Sequence, residues 1–261
     1  PVIQQYLDIK ANNRDSLLFF RMGDFYELFF SDAELASSTL DIILTKRGQH
    51  RGKAIPMCGV PFHSAEGYIK KLLDNNIKVA ICEQLETPKE AKKRGYKEIV
   101  KRDVVRIITP GTKLEESFLV QKENNILMAL FFFDHAWTSC WIDISTGLFK
   151  ATTTSESQLP SMIDQIFPNE TIAYKNKHEL SILRSTVPSE ITWLEGKKNI
   201  SRSVFLKFLS PFFESDRLKT LKTGLLGSVS LIVEYLMRNK NLFLEHYDIP
   251  EQIELTHIMT I

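Results

Sequence analysis

The sequence predicts an α/β protein with two domains. Short apolar runs of strand length alternate with segments of helical periodicity through the first 113 residues. The chain has 261 residues, which is enough for two domains of ordinary size. Its 43% hydrophobic and 25% charged residues are typical of a soluble globular protein. No apolar run approaches the roughly 20 residues that a membrane span needs.

The first domain is predicted over residues 1–113 as helices and strands around a mixed sheet. Its predicted helices are residues 1–13, 25–40 and 65–75. Its predicted strands are residues 17–22, 42–45, 54–57, 79–82 and 104–108. A basic loop with two glycines, residues 46–53, follows the second strand, and Thr109-Pro110-Gly111-Thr112 is a strong turn signal after the last one. We therefore expect the domain boundary between residues 111 and 122.

The second domain is predicted over residues 119–250 and begins with an antiparallel meander. The meander strands are residues 126–133, 138–144 and 148–153. The predicted elements after it are a helix at 156–166, a strand at 171–174, a helix at 177–184, a strand at 191–194 and helical segments to Asn239. Residues 251–261 are expected to begin a following helical domain.

The stretch Gly23-Asp24-Phe25-Tyr26-Glu27 follows the first predicted strand and has two interpretations. Gly-Asp is a turn and helix-cap signal, which predicts Phe25 and Glu27 at the exposed mouth of a helix. An aromatic ring and a carboxylate side by side are an unusual pair of solvent-exposed side chains. The alternative is a buried stripe, because Phe25, Leu28 and Phe29 have helical i, i+3, i+4 spacing. In that interpretation Glu27 only interacts with the helix dipole.

Three longer segments occur in a characteristic order: LLFFRMGDFYELFFSDAELASSTLDIILTKRG, IPMCGVPFHSAEGYIKKLL and VAICEQLE. In this order and spacing they resemble the amino-terminal part of the MutS family of DNA mismatch repair proteins. The resemblance covers residues 1 to about 120 and continues more weakly to the end of the chain. It implies a mismatch-recognition domain at 1–113 and a connector domain with a ribonuclease-H-like fold at 119–250.

The resemblance also implies the site. The family reads mismatches with a Phe-x-Glu element, which here is Phe25-Tyr26-Glu27. Phe25 is then the wedge inserted from the minor groove, and Glu27 hydrogen-bonds the displaced base. If Glu27 is neutral when bound, it can donate as well as accept and is not repelled by phosphates. This hypothesis predicts that Glu27→Gln keeps or strengthens overall DNA affinity while it blurs discrimination.

The basic loop supplies candidate DNA-backbone contacts at Lys46, Arg47, Arg51 and Lys53. Flexible basic side chains beside glycines can contact phosphates and the minor groove of DNA. The alternative is an exposed polar hairpin that does not bind DNA. Residues 1–113 carry 19 Lys and Arg against 14 Asp and Glu, whereas the rest of the chain carries 14 basic against 18 acidic residues. The first domain is therefore the better candidate for binding a polyanion.

We predict no catalytic residue, metal site or cofactor in this chain. The sequence contains no Gly-x-x-x-x-Gly-Lys-Ser/Thr loop. The resemblance implies that full-length family members use ATP and magnesium in another part. A structure-specific nuclease is one alternative, with Asp134, Asp143 and Asp164 as its only candidate metal ligands. A protein-interaction module, in which Phe25 anchors a partner peptide, is another.

The resemblance implies two partners, double-stranded DNA with mismatches or small loops and the protein MutL. It also implies self-association through regions outside this chain. No membrane association is expected. Three cysteines, Cys58, Cys82 and Cys140, lie far apart and form neither a disulfide framework nor a metal spacing. They are predicted to be small buried hydrophobic residues, and a cytoplasmic, nucleoid-associated protein is expected.

Overall fold

The computed structural model describes residues 2–95, 98–113, 125–144, 146–188, 190–196, 200–241, 244 and 247–254. These residues form two compact units, the first ending at Pro110 and the second beginning at Gly111. Each unit contains helices and a six-stranded mixed sheet, which confirms the predicted α/β class. Within these ranges no helix is long and apolar enough to span a bilayer.

The first unit is built on a sheet with the order β3-β4-β2-β1-β5-β6. Its strands are β1 (Ser16–Met22), β2 (Phe25–Phe29), β3 (Thr45–His50), β4 (Lys53–Pro61), β5 (Lys78–Gln84) and β6 (Arg102–Ile108). Its helices are α1 (Val2–Ala11), α2 (Phe30–Leu40), α3 (Ala65–Asp74) and α4 (Pro88–Arg94). Strands β1 and β5 are parallel, and the other neighbours are antiparallel. The sheet is therefore mixed, as predicted.

Both faces of this sheet are covered, because the central strand β1 is apolar on both sides. Leu17 and Phe19 belong to the apolar cluster that includes residues of α2 and α3. Leu18 and Phe20 belong to a second cluster, which includes Tyr6 of α1. Alternate side chains of a strand point to opposite faces, so the continuous apolar run of β1 reflects two buried faces.

A buried carboxylate ties α1, β1 and α2 together. The hydroxyl of Tyr6 and the backbone N–H of Leu18 donate to Asp32 Oδ2 at 3.1 and 3.0 Å, and Lys10 Nζ lies 2.9 Å from Oδ1. Burial, followed by the charge of Asp32, raises the pKa of Tyr6 well above its usual range. A buried charge with three partners is compensated, so this network fixes the helices on the sheet that carries β2.

The structure corrects two predictions in the first unit. Residues 25–29 were expected to begin a helix, but they form β2, and α2 begins at Phe30. The N-cap residue of α2 is Phe29 and has no side-chain cap, so Asp24 has no capping role there. The predicted strand 42–45 and basic loop 46–53 are replaced by the hairpin of β3 and β4. Pairing of β2 with β1 and β4 outweighs its helical spacing.

The second unit has the strand order β11-β10-β7-β8-β9-β12. Its strands are β7 (Ile126–Phe133), β8 (Ala136–Asp143), β9 (Leu148–Thr154), β10 (Glu170–Lys175), β11 (Ile191–Glu195) and β12 (Glu251–Gln252). Its helices are α5 (Leu159–Ile166), α6 (Lys177–Thr186), α7 (Arg202–Leu209), α8 (Ser215–Leu218) and α9 (Thr223–Arg238).

The predicted meander is confirmed, since β7, β8 and β9 pair antiparallel in sequence order. Strands β10 and β11 then add in parallel beside β7. Of the following domain expected at residues 251–261, Glu251 and Gln252 pair with β9, and residues 255–261 lie outside the described residues. The three cysteines are buried, as predicted, and no disulfide joins them in the described part of the chain.

Candidate nucleic-acid interface

Phe25 is the first residue of β2, and the residue is 47% exposed. In the strand register it lies opposite Met22 of β1 and Pro61 of β4. The buried-stripe interpretation is therefore wrong for Phe25, although Leu28 and Phe29 are fully buried. The ring is accessible at the end of a strand, and not at the mouth of a helix as predicted.

The turn before Phe25 is braced from two sides. Gly23 has a φ of +62°, a conformation that favours glycine. Arg21 Nε donates a hydrogen bond to the carbonyl of Gly23, and the backbone N–H of Phe62 donates to the carbonyl of Asp24 at 2.9 Å. The Arg21 guanidinium also lies 3.6 Å from the centre of the Phe62 ring. Phe25 is thus presented on a fixed turn.

Tyr26, between the two candidate site residues, points to the opposite face and is buried. Its hydroxyl donates a hydrogen bond to Glu83, which lies 3.6 Å from Arg21 Nη1. Burial and then the Glu83 carboxylate raise the pKa of Tyr26 to about 12. Sequence reasoning missed this anchoring role, and the signal that could have revealed it is a strand periodicity over residues 25–28, which places Tyr26 on the face opposite Phe25 and Glu27.

Glu27 shares the strand face of Phe25, because the two residues are two positions apart. Its side chain is 15% exposed and forms an ion pair with Arg47. Gly59 of β4 lies directly opposite Glu27 in the register. A Cβ atom on Gly59 would lie 3.8 Å from both Glu27 Cγ and Phe25 Cδ1. The missing side chain therefore leaves a notch bordered by Phe25 and Glu27.

The four basic candidates all lie on the β3–β4 hairpin and are all exposed. Lys46 and Arg47 are in β3, Arg51 is in the turn with a φ of +49°, and Lys53 begins β4. The register shifts between Lys46 and Gln49, which places Arg47 in a bulge of the edge strand. Arg47 is the candidate that the structure joins to Glu27, and the other three lie along the hairpin.

The three carboxylates of the nuclease alternative do not converge. Asp134 precedes β8 in the β7–β8 turn, whereas Asp143 is the last residue of β8. An eight-residue strand separates them, which is on the order of 25 Å. Asp164 is exposed on α5. Among the described residues there is no group of three His, Cys, Asp or Glu that could hold a metal ion.

The sequence model of the family described as MutS domain I matches residues 1–117. The DNA mismatch repair protein MutS of Rhizobium meliloti (strain 1021) is 56% identical over 176 residues, which is 66% of this chain and 19% of that protein. The protein of the same name from Wolbachia pipientis wMel is 52% identical over 71% of this chain and 22% of its own length. The one from Ehrlichia chaffeensis is 49% identical over 78% of this chain and 25% of its own length.

The chain thus spans about a fifth to a quarter of the length of the curated relatives that it matches. The residues of the candidate interface, from Phe25 to Gly59, all lie inside the segment matched by the domain model. Residues 1–117 of this chain thus match the MutS domain I model, and the chain is similar over 66–78% of its length to these MutS proteins.

Proposed function

We propose that this chain binds mismatched DNA in DNA mismatch repair, by inserting the Phe25 ring from the minor groove at a weak base step. The observation that carries the proposal is the half-exposed Phe25 on a braced turn, with Glu27 beside it on the same strand face. The name shared by the relatives, DNA mismatch repair protein MutS, supports the same process. Exposed basic side chains on the neighbouring β3–β4 hairpin can contact the phosphates of the DNA backbone.

Discrimination follows from an energy balance at the base step. Unstacking a step costs a few kcal/mol, and less where pairing is already faulty. Stacking a base on an aromatic ring returns about 1–3 kcal/mol. At a mismatch the cost of unstacking and the gain from stacking on the ring nearly cancel, whereas at a correctly paired step the cost of unstacking exceeds the gain. Phe25 then reads the deformability of the duplex and not its sequence.

Glu27 supplies the second part of the proposed mechanism. Its carboxyl group lies on the face of Phe25 and can reach a base displaced by the ring. A carboxylate near phosphates is repelled, so its contribution comes from the specific hydrogen bond to that base. The Gly59 notch gives room beside both side chains.

The second unit is proposed to relay the DNA-bound state to the ATPase part of the full-length family protein and to MutL. This proposal rests on the family resemblance, and the ribonuclease-H-like connector identity of residues 119–250 rests on it as well. Strands β10 and β11, added in parallel on the β7 side of the β7–β8–β9 meander, are in keeping with such a fold.

A competition titration tests the proposal with mismatched and matched duplexes that differ at one base. The natural full-length protein is expected to prefer the mismatched duplex. Phe25→Ala is expected to lower that preference roughly five- to 150-fold, the factor that corresponds to the stacking energy of about 1–3 kcal/mol. Phe167→Ala is the matched control, because it removes an 83% exposed phenyl ring from the second unit. Retained preference in Phe25→Ala would contradict the insertion mechanism. DNA binding that does not depend on salt would favour the protein-interaction alternative.

A further inference from the structure

The ion pair between Arg47 and Glu27 joins two residues with different expected partners on DNA. Arg47 is on the edge strand β3 and its side chain is 48% exposed, whereas the Glu27 side chain is 15% exposed. Strand β4 lies between β3 and β2, so the Arg47 side chain reaches across β4 to make this contact. The guanidinium that could bind a phosphate is thus held by the carboxylate that could bind a base.

The contact of Arg47 with Glu27 competes with a contact of Arg47 with a DNA phosphate, because both use the same guanidinium group. Arg47 in contact with Glu27 has its charge neutralised, and part of its donor fork is occupied. A phosphate offers the guanidinium a matching pair of oxygen acceptors. An exposed arginine can exchange a carboxylate for a phosphate at little cost in free energy, because surface ion pairs are weak in water. Glu27 is less exposed, so it needs another hydrogen-bond partner once Arg47 has moved away.

Other nearby cations do not replace Arg47 in this exchange. Arg102 interacts electrostatically with Glu27, but its side chain donates to Gln5 Oε1 at 3.0 Å and to the carbonyls of Arg21 and Val100 at 2.7 and 3.0 Å. Arg51 is an exposed arginine on the same hairpin, and no ion pair with another described residue holds it. Arg47 is therefore the cation whose availability depends on Glu27.

We propose that Arg47 is a switched phosphate contact. Glu27 holds it in the free protein and on matched duplex, and releases it to a backbone phosphate when Glu27 turns to the displaced base of a mismatch. The inference rests on the proposed function of Phe25 and Glu27. It adds that recognition of a base is converted into one additional contact with the DNA backbone. Mismatched duplex is thus bound with one more phosphate neutralised than matched duplex.

The salt dependence of binding measures that difference directly. Each neutralised phosphate contributes about 0.9 to the slope of log K against log salt concentration on B-DNA. The natural full-length protein should therefore show a slope steeper by about 0.9 on mismatched than on matched duplex. Equivalently, its mismatch preference should fall roughly three- to fourfold between about 50 and 200 mM salt.

Three variants separate the switch from ordinary backbone contact. Arg47→Gln is expected to remove the difference between the two slopes. Arg51→Gln, the matched control on the same hairpin, is expected to lower both slopes equally and keep the difference. Glu27→Gln leaves Arg47 free on every duplex, so the slope for matched DNA should rise to the value for mismatched DNA.

Equal slopes in the unmodified protein, together with a clear mismatch preference, would overturn the switch and leave the proposed function intact. No mismatch preference at any salt concentration would overturn the proposed function itself. A slope difference that survives in Arg47→Gln would also overturn the switch. The comparison in the unmodified protein needs no variant, so a folding defect in any variant does not prevent the test.

Discussion

Gly59 stands directly opposite Glu27 in the β2–β4 ladder, and a Cβ atom there would lie 3.3 Å from the carbonyl oxygen of Tyr26. That distance is tight, and the contacts to Glu27 Cγ and Phe25 Cδ1 are ordinary ones at 3.8 Å. The position therefore accepts a methyl group only if β2 gives way by a few tenths of an ångström. Such a shift would act on the strand that presents both candidate site residues.

Gly59→Ala is expected to lower the mismatch preference several-fold, because the methyl group fills the notch between Phe25 and Glu27. The stability cost should be about 1 kcal/mol, because the backbone of β2 has to shift by a few tenths of an ångström. Duplex competition and denaturant unfolding measure the two effects. Gly67→Ala is the control, because nothing lies within 4 Å of its Cβ position in α3. A mismatch preference unchanged by Gly59→Ala would show that the notch has no part in binding.

Glu27→Gln is expected to raise the affinity for matched duplex and to lower the preference for mismatched duplex. The amide removes the negative charge near the phosphates, and it frees Arg47 from its ion pair. Titration of both duplexes at one fixed salt concentration measures the change. If Glu27→Gln bound every duplex more weakly, this explanation would be wrong, because the charged carboxylate would then strengthen DNA binding.

The turn before Phe25 could be predicted from the sequence, but the secondary structure of residues 25–29 could not. Phe25 and Glu27 follow a turn, and that much is local chemistry of Gly23 and Asp24. Residues 25–29 match helical spacing as well as strand alternation, and short apolar segments are often ambiguous in this way. The choice is made by β1 and β4, which pair with β2 on both sides.

The partners of the site residues also depend on contacts between distant segments. Arg47 lies in a bulge of the edge strand β3, and its side chain reaches Glu27 across β4, which separates their two strands. Gly59 becomes part of the site only through the register of β4 on β2. No spacing rule in a single sequence fixes these relationships, whereas the meander of β7, β8 and β9 has close turns and was predicted correctly.

The buried Asp32 network is expected to make a large contribution to the stability of the first unit. Asp32→Ala removes the acceptor of the Leu18 N–H, one of the two acceptors of the Tyr6 hydroxyl and the charge partner of Lys10. A loss of about 3–5 kcal/mol in the free energy of unfolding is expected. Tyr6→Phe removes the hydroxyl that bonds to Asp32 and to the backbone of Phe29, and it should cost about 1–2 kcal/mol because Asp32 keeps its other partners. Denaturant titration checks both, and equal costs for the two variants would contradict the central role of Asp32.

In the second unit, Glu179 on α6 is buried, and its Oε1 accepts a 3.2 Å hydrogen bond from the backbone N–H of Phe132. The described residues offer its Oε2 no hydrogen-bond partner. Burial raises the pKa of Glu179 from 4.5 to about 7, against the opposing effect of the Phe132 N–H. The folded protein therefore keeps this proton over a pH range in which the unfolded chain has released it.

Stability of the second unit is expected to fall as the pH rises from about 4.5 to about 7, because the folded state there binds more protons than the unfolded state. The full effect is at most on the order of 3 kcal/mol, and it stays constant above pH 7. Glu179→Gln should remove this dependence and stabilise the protein at pH 8, as measured by denaturant unfolding at several pH values. Glu190→Gln changes an exposed carboxyl group and serves as the control. If Glu179→Gln left the slope of stability against pH unchanged, Glu179 would have to be ionised in the folded protein throughout this range.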